Sequence, residues 1–326
     1  MNKKPEAYEL KNVIDNAKEP LVFKNIINFF NNWTMNLWRS EFKDLQLPFR
    51  KGYNSICKCG KNHPQWERFT ETVYLTFDEF LKLSDNICNY WYYFDYKRMV
   101  EWFSTSSNIM KNISWSDFGY ADVTGLESTI WIGSKGAHTP CHIDTYENNL
   151  VLQVFGEKKW ILFPPNTDLK PTRIPYEESS IYSKINFFHP DMNDLIGLKG
   201  GREVLLKPGD VLFVPQGWWH YVENVSNVAI SINVWIPTTQ EKETHLHESI
   251  VQLLVAQLTK SLPDTCNKLL INPNNEDIFL QPLTILYEQI KYCLNNSCKQ
   301  QNIATATVVV NKSNNESKSN NSIIEL

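Results

Sequence analysis

The chain has 326 residues, 42% hydrophobic and 13% aromatic, with 11 Trp and 17 Phe, a composition that supports a large core and lies far from that of disordered chains. Its net charge of −4 carries no basic excess, so no direct nucleic-acid binding is expected. The polar start MNKKPEAYELKNVIDNAKEP has no signal-peptide core, no run approaches the roughly 18 apolar residues of a membrane helix, and the 7 cysteines are odd in number and scattered. These features point to a reducing compartment without membrane contact: the cytoplasm, with the nucleus open.

Residues 1–127 read as a helical and strand extension packed on a core built from the residues after them. The stretches FKNIINFFNNW, FDEFLKLSDNI and DYKRMVEWF repeat bulky residues at three and four, the spacing of helices that pack as layers. Between them CKCGKNH offers Cys57, Cys59 and His63, but CxC spacing with no second pair departs from the usual zinc patterns. From Ser128 the texture changes. TIWIG, NLVLQVF, KKWILF, EVLL, VLFV and AISINVWI are short runs of Ile, Val, Phe and Trp punctuated by Gly, Pro and Asn, and they predict strands without intervening helices over 128–240. In LKPGDVLFVPQG a Pro-Gly-Asp turn opens one strand and a Pro closes it. The class is a mainly β core, a double-stranded β-helix or jelly roll, with flanking α-helices at both ends.

A polar insertion over about 165–202 interrupts the strands and reads either as a solvated loop or as a substrate-facing wall. After Pro237, HLHESIVQLLVAQLTKSL and QPLTILYEQIKYCLNN predict C-terminal helices within 241–300. Val251, Leu254, Leu258 and Leu262 form an apolar stripe suited to core or homodimer contact, whereas His245 and His247 read as surface residues. The tail, 301–326, is rich in Asn, Ser and Lys and is expected to be disordered.

The chemistry concentrates in TPCHID and WWHYV. Side chains alternate along a strand, so His142 and Asp144 point the same way and Cys141 and Ile143 the other. His220 follows the strand VLFVP, where a jelly roll can bring a distant edge alongside the first. Two imidazoles and a carboxylate on one face of a metal are the set used by non-haem Fe(II) oxygenases, and the helical HExxH spacing of zinc hydrolases is absent. Lys158 shares a face with Trp160 and Leu162 in an apolar strand, while Lys159 faces solvent. A buried lysine calls for an anion, and a keto diacid chelating the metal and reaching Lys158 and the Thr139 hydroxyl would supply one.

HTPCHIDTYENNLVLQVFGEKKWILFPP with PGDVLFVPQGWWHYVENVSNVAISINVWI resembles the JmjC domains of the cupin-like hydroxylase branch, over roughly 128–237 and more loosely from about 20. The resemblance implies Fe(II) on His142, Asp144 and His220, and 2-oxoglutarate on Thr139 and Lys158. It also puts Asn149 and Asn233 beside the cosubstrate, with Trp131 and Trp235 as pocket walls or core. Relative to the asparaginyl hydroxylase of that branch the gap from His142 to Lys158 is one residue longer, so a bulge near Thr145–Asn148 is expected to absorb it. WSDFGYADVTGLESTIWIGSKGAHTPCHIDTY and PTRIPYEESSIYSKIN are similar to a JmjC group of animals associated with a small heat shock protein, which implies such a partner.

The implied activity is a 2-oxoglutarate-dependent dioxygenase, hydroxylating a protein side chain in preference to demethylating one, since no reader module accompanies the domain. The competing readings are a JmjC-shaped module that docks a partner with little or no catalysis, and a zinc or manganese cupin with hydrolytic or isomerase chemistry.

Overall fold

A computed structural model describes residues 5–55, 64–66, 70–86, 89–145, 147–173 and 180–237, and of the C-terminal stretch residues 244, 246–251, 254, 284, 287, 288, 290 and 291. Cys57, Cys59, His63, His245, Leu258, Leu262 and the tail 301–326 lie outside the described residues. The N-terminal part runs α1 (Ala7–Asn16), β1 (Leu21–Lys24), α2 (Met35–Phe42), β2 (Leu47–Tyr53), β3 (Glu71–Leu75), α3 (Phe77–Asp85), β4 (Tyr90–Arg98), β5 (Ser114–Trp115) and β6 (Tyr120–Thr124). The strand-rich part continues as β7 (Thr129–Ser134), β8 (His138–Asp144), β9 (Asn148–Phe155) and β10 (Lys158–Phe163). Then come β11 (Pro171–Thr172), β12 (Ser180–Ser183), β13 (Arg202–Leu206), β14 (Asp210–Val214), β15 (Trp219–Asn224) and β16 (Val228–Ile236).

Two antiparallel sheets face each other. One has the order β1-β14-β9-β16-β7-β4-β2-β3, the other β11-β12-β8-β15-β10-β13. Along the chain β7, β8, β9 and β10 alternate between the sheets, as do β13 with β14 and β15 with β16, which is the winding of a jelly roll. The outer face of the larger sheet, with Ile130, Ile132, Leu152, Phe213 and Ile232, packs on Ile14 of α1, Trp38 and Phe42 of α2 and Phe80 of α3 in the largest apolar cluster. Between the sheets the apolar filling is smaller: Val151, Trp160, Leu162, Leu206, Leu212, Val214, Trp218 and Val222.

Local chemistry explains where the helices fall. Thr76 and Glu79 form a reciprocal capping box that starts α3, and Phe77, Phe80, Leu81 and Ser84 lie at helical spacing on its buried side. Thr34 caps α2 by accepting from the Leu37 N–H. The helix expected over FKNIINFFNNW does not form. β1 ends at Lys24, Asn25 takes φ 56°, and turns carry the chain to α2, although Ile26, Ile27, Phe30 and Trp33 are buried as a helix face would bury them. Paired asparagines at Asn31 and Asn32 favour turns over a helix interior, and apolar spacing alone could not reveal this. In DYKRMVEWF the strand β4 persists to Arg98, leaving one turn of helix, Met99–Trp102.

The insertion is neither a bare solvated loop nor only a wall. β12 pairs with β8, placing Tyr182 opposite His142 and Ser180 opposite Asp144. Leu169, Ile185, Phe187 and Phe188 pack with Cys141, Phe163, Trp219 and Tyr221, so the insertion covers the outer face of the smaller sheet. The segment Thr145–Asn148, where a bulge is expected, is described only in part, and within the span from His142 to Lys158 β9 also slips register against β16 at Val154, between Ile230 and Ser231. Glu147 turns through φ 66° ahead of β9, and Tyr146 lies outside the described residues. In the C-terminal stretch His247 is exposed, and Val251 and Leu254 are 40% and 57% exposed, so these two are not core.

Candidate functional site

The ladder between β8 and β15 aligns His220 with His142, then slips by one residue, so that Val222 faces Thr139 and Glu223 faces His138. The slip falls at Pro140–Cys141, where a proline has no N–H to give the ladder. Its consequence is a change of parity. Thr139, His142 and Asp144 all turn towards the space between the sheets, although Thr139 stands at an odd offset from His142. Cys141 and Ile143 turn outward into the insertion's apolar cover.

His142, Asp144 and His220 each offer a ligand atom, and these atoms lie within 4.8 Å of one another. His142 Nε2 is 3.6 Å from Asp144 Oδ1, and His220 Nε2 is 3.8 Å from Asp144 Oδ2. The Nδ1 of His142 lies 2.9 Å from the Pro140 carbonyl and that of His220 3.0 Å from the Trp218 carbonyl. A carbonyl can only accept, so each Nδ1 carries its ring's proton and each Nε2 keeps its lone pair free for a metal. Burial lowers the His220 pKa and nearby His142 lowers it further, against Asp144, leaving it at about 4. For Asp144 burial pushes upward, but His142, His220 and the Trp235 N–H together hold it at about 2. His220 and Asp144 are therefore in the form that binds a metal near neutrality.

Across the same pocket Lys158 is 1% exposed, and its ammonium donates to Ser231 Oγ at 2.7 Å and to Tyr93 Oη at 3.3 Å. Desolvation lowers its pKa to about 7, and the charge of Asp95 works against that fall. Asp95 is itself buried against Arg50, at 2.7 Å, and Arg50 also donates to the His138 carbonyl. Among the described residues no carboxylate accepts a hydrogen bond from Lys158, and three hydroxyls, of Thr139, Tyr93 and Ser231, share its pocket. An amine set among neutral hydroxyls fits the distal carboxylate of a keto diacid. Lys159, one residue on, turns away and pairs with Glu223 at 2.9 Å.

Asn149, Asn233, Trp131 and Trp235 all line this pocket. Trp131 Nε1 donates to Asn233 Oδ1 at 2.7 Å and Asn233 Nδ2 donates to Asn149 Oδ1 at 2.9 Å, a relay across β7, β16 and β9. Trp235 Nε1 donates to Asp144 Oδ2 at 3.2 Å, so this ring orients a candidate ligand as well as forming a wall. Sequence reasoning missed Tyr93, Ser231 and Tyr182. Ser231 was within reach of it, because it shares the period-two face of Asn233 and Trp235. Tyr93 was not: YWYYFDY is bulky at nearly every position and shows no alternation.

A family model described as a cupin-like domain matches residues 7–242. HSPB1-associated protein 1 of Bos taurus is 40% identical over 290 residues, 83% of this chain and 57% of that protein. The Homo sapiens protein of that name is 37% identical over 313 residues, 90% of this chain and 60% of its own length. The chain thus spans less than two thirds of these relatives. More distantly, the 2-oxoglutarate and iron-dependent oxygenase JMJD4 of Gallus gallus is 24% identical over 237 residues, 69% of this chain and 43% of that protein. With the jelly roll, the family match and these relatives in agreement, the chain belongs to the cupin-like, JmjC-type domain family.

Proposed function

We propose that the chain is an Fe(II)- and 2-oxoglutarate-dependent dioxygenase that hydroxylates a side chain of a protein substrate. The observation that carries this reading is the convergence of a His-Asp-His set and a buried lysine on one pocket, a pairing that a purely structural jelly roll has no reason to keep. Zinc or manganese chemistry of other kinds would need the metal ligands but not Lys158.

His142, Asp144 and His220 would hold the iron, and Lys158 with Thr139, Tyr93 and Ser231 would hold the distal carboxylate of 2-oxoglutarate. When bound, the pair would supply, with O₂ as the oxidant, hydroxylation of a C–H bond, one oxygen atom going to the substrate and the other to the succinate formed as the keto acid loses CO₂. The protein's own contribution is placement. The Pro140 and Trp218 carbonyls fix the two imidazoles, Trp235 fixes the carboxylate, and the Asn149–Asn233–Trp131 relay sets the pocket wall. Val151, Trp160 and Val222 give the pocket an apolar side continuous with the filling between the sheets.

The test is succinate formation by the iron-loaded chain with a protein captured from its own cell extract, and a one-oxygen mass gain in that protein. Asp144→Ala should abolish both; turnover at the wild-type rate in that variant would overturn the assignment of the triad.

The names of the relatives favour a second reading, a module that docks a small heat shock protein. It would stand if wild type and Asp144→Ala captured such a protein equally and no substrate yielded succinate.

A further inference from the structure

Each of the three candidate ligands is braced by one aromatic side chain. Trp235 donates to Asp144. Trp160 lies nearly parallel to the His220 ring, with centroids 5.8 Å apart and 27° between planes. Tyr182 does the same for His142, at 5.6 Å and 28°. Trp160 and Trp235 belong to strands of the jelly roll, but Tyr182 comes from β12, inside the insertion.

We infer that the insertion is part of the metal centre, with Tyr182 as a positioning residue that fixes the imidazole of His142 for the metal. This rests on the metal-site reading above. Three observations support it. The β12–β8 ladder places Tyr182 directly opposite His142, so the backbone sets the two rings side by side. Tyr182 is 4% exposed, and its segment is anchored by a Ser183 hydroxyl that donates to the Leu169 carbonyl at 2.6 Å and by Ile185 packed in the cover. The Pro140 carbonyl holds His142 on its ring edge and the His220 ring meets it at a tilt, with centroids 4.1 Å apart and 56° between planes, whereas Tyr182 lies nearly parallel to it. A nearly parallel ring beside it limits rocking about the Cβ–Cγ bond before the metal arrives. Pre-orientation of this kind raises affinity by sparing its cost at binding.

Co(II) titration under visible absorption tests the inference on the intact chain without any turnover. Tyr182→Phe keeps the ring and should bind within about twofold of wild type. Tyr182→Leu fills the space without a flat face; it should weaken binding by about tenfold, the lower end of the loss usual for groups that orient a ligand, and should shift the absorption of the bound ion. Ile181→Ala, which alters the opposite face of β12, should lower Tm while leaving Co(II) affinity unchanged. If wild type binds Co(II) and Tyr182→Leu binds it equally with the same spectrum, or if Ile181→Ala weakens binding as much as Tyr182→Leu, Tyr182 has no positioning role and the metal-site reading survives. If wild type binds no Co(II), that reading falls and this inference with it.

Discussion

At the scale of the residue, Lys158 carries the clearest cost. Its amine is held at about 7 by burial, against 10.5 in an unfolded chain. Between those values the unfolded state binds a proton that the folded state lacks, so stability rises with pH; below about 7 both states are charged and the full cost of burying the cation is present. Lys158→Met should therefore stabilise the ligand-free protein by about 1–3 kcal/mol near neutrality, with the gain shrinking towards pH 10.5. Denaturant melts of both proteins across that range check it. Conversely, 2-oxoglutarate at a hundredfold over its Kd, added to the iron-loaded protein, should add about 2.7 kcal/mol to wild type beyond the effect of iron alone and far less to the variant. Lys158 was legible in the sequence because a cation in an apolar, alternating strand stands out. His142 and Asp144 were legible by the same alternation. Thr139 was not legible by alternation, since period two sends it outward, and only the slip at Pro140–Cys141 brings it in.

At the scale of the element, placement of Lys158 depends on the turn between β9 and β10. Gly156 takes φ 63°, and a Cβ there would lie 2.1 Å from the Val228 carbonyl oxygen, a backbone atom held in the ladder with β7. Gly156→Ala should cost more than about 2 kcal/mol, combining the strain of positive φ with the displacement of a neighbouring strand. Chemical denaturation measures it, and a loss below about 0.5 kcal/mol would show that β16 yields easily. The strands of the jelly roll were readable because Gly and Pro separate them. The N-terminal elements were harder: Ile26, Ile27, Phe30 and Trp33 are buried at intervals that mimic a helix while their backbone turns. The insertion was read as polar from its composition, yet Leu169, Ile185 and Phe187 suffice to seat it, and its pairing with β8 depends on contacts far apart in sequence.

At the scale of the whole molecule, the largest apolar cluster lies outside the jelly roll, between its larger sheet and the N-terminal helices. This leaves the space between the sheets shared by an apolar filling and the pocket, with Val151, Trp160 and Val222 belonging to both. The fold can keep a costly buried amine and a set of candidate metal ligands because its stability is secured elsewhere. The N-terminal residues are structurally continuous with the pocket as well: β4 supplies Tyr93 and Asp95, and β2 supplies Arg50. The proposed activity depends on the ability of three side chains to hold one ion. Equilibrium binding of Fe(II) under nitrogen to wild type and to His142→Ala, Asp144→Ala and His220→Ala measures this directly. The expected result is one iron per wild-type chain and none retained by the three variants; wild type that takes up no iron, or variants that bind it as tightly, would contradict it.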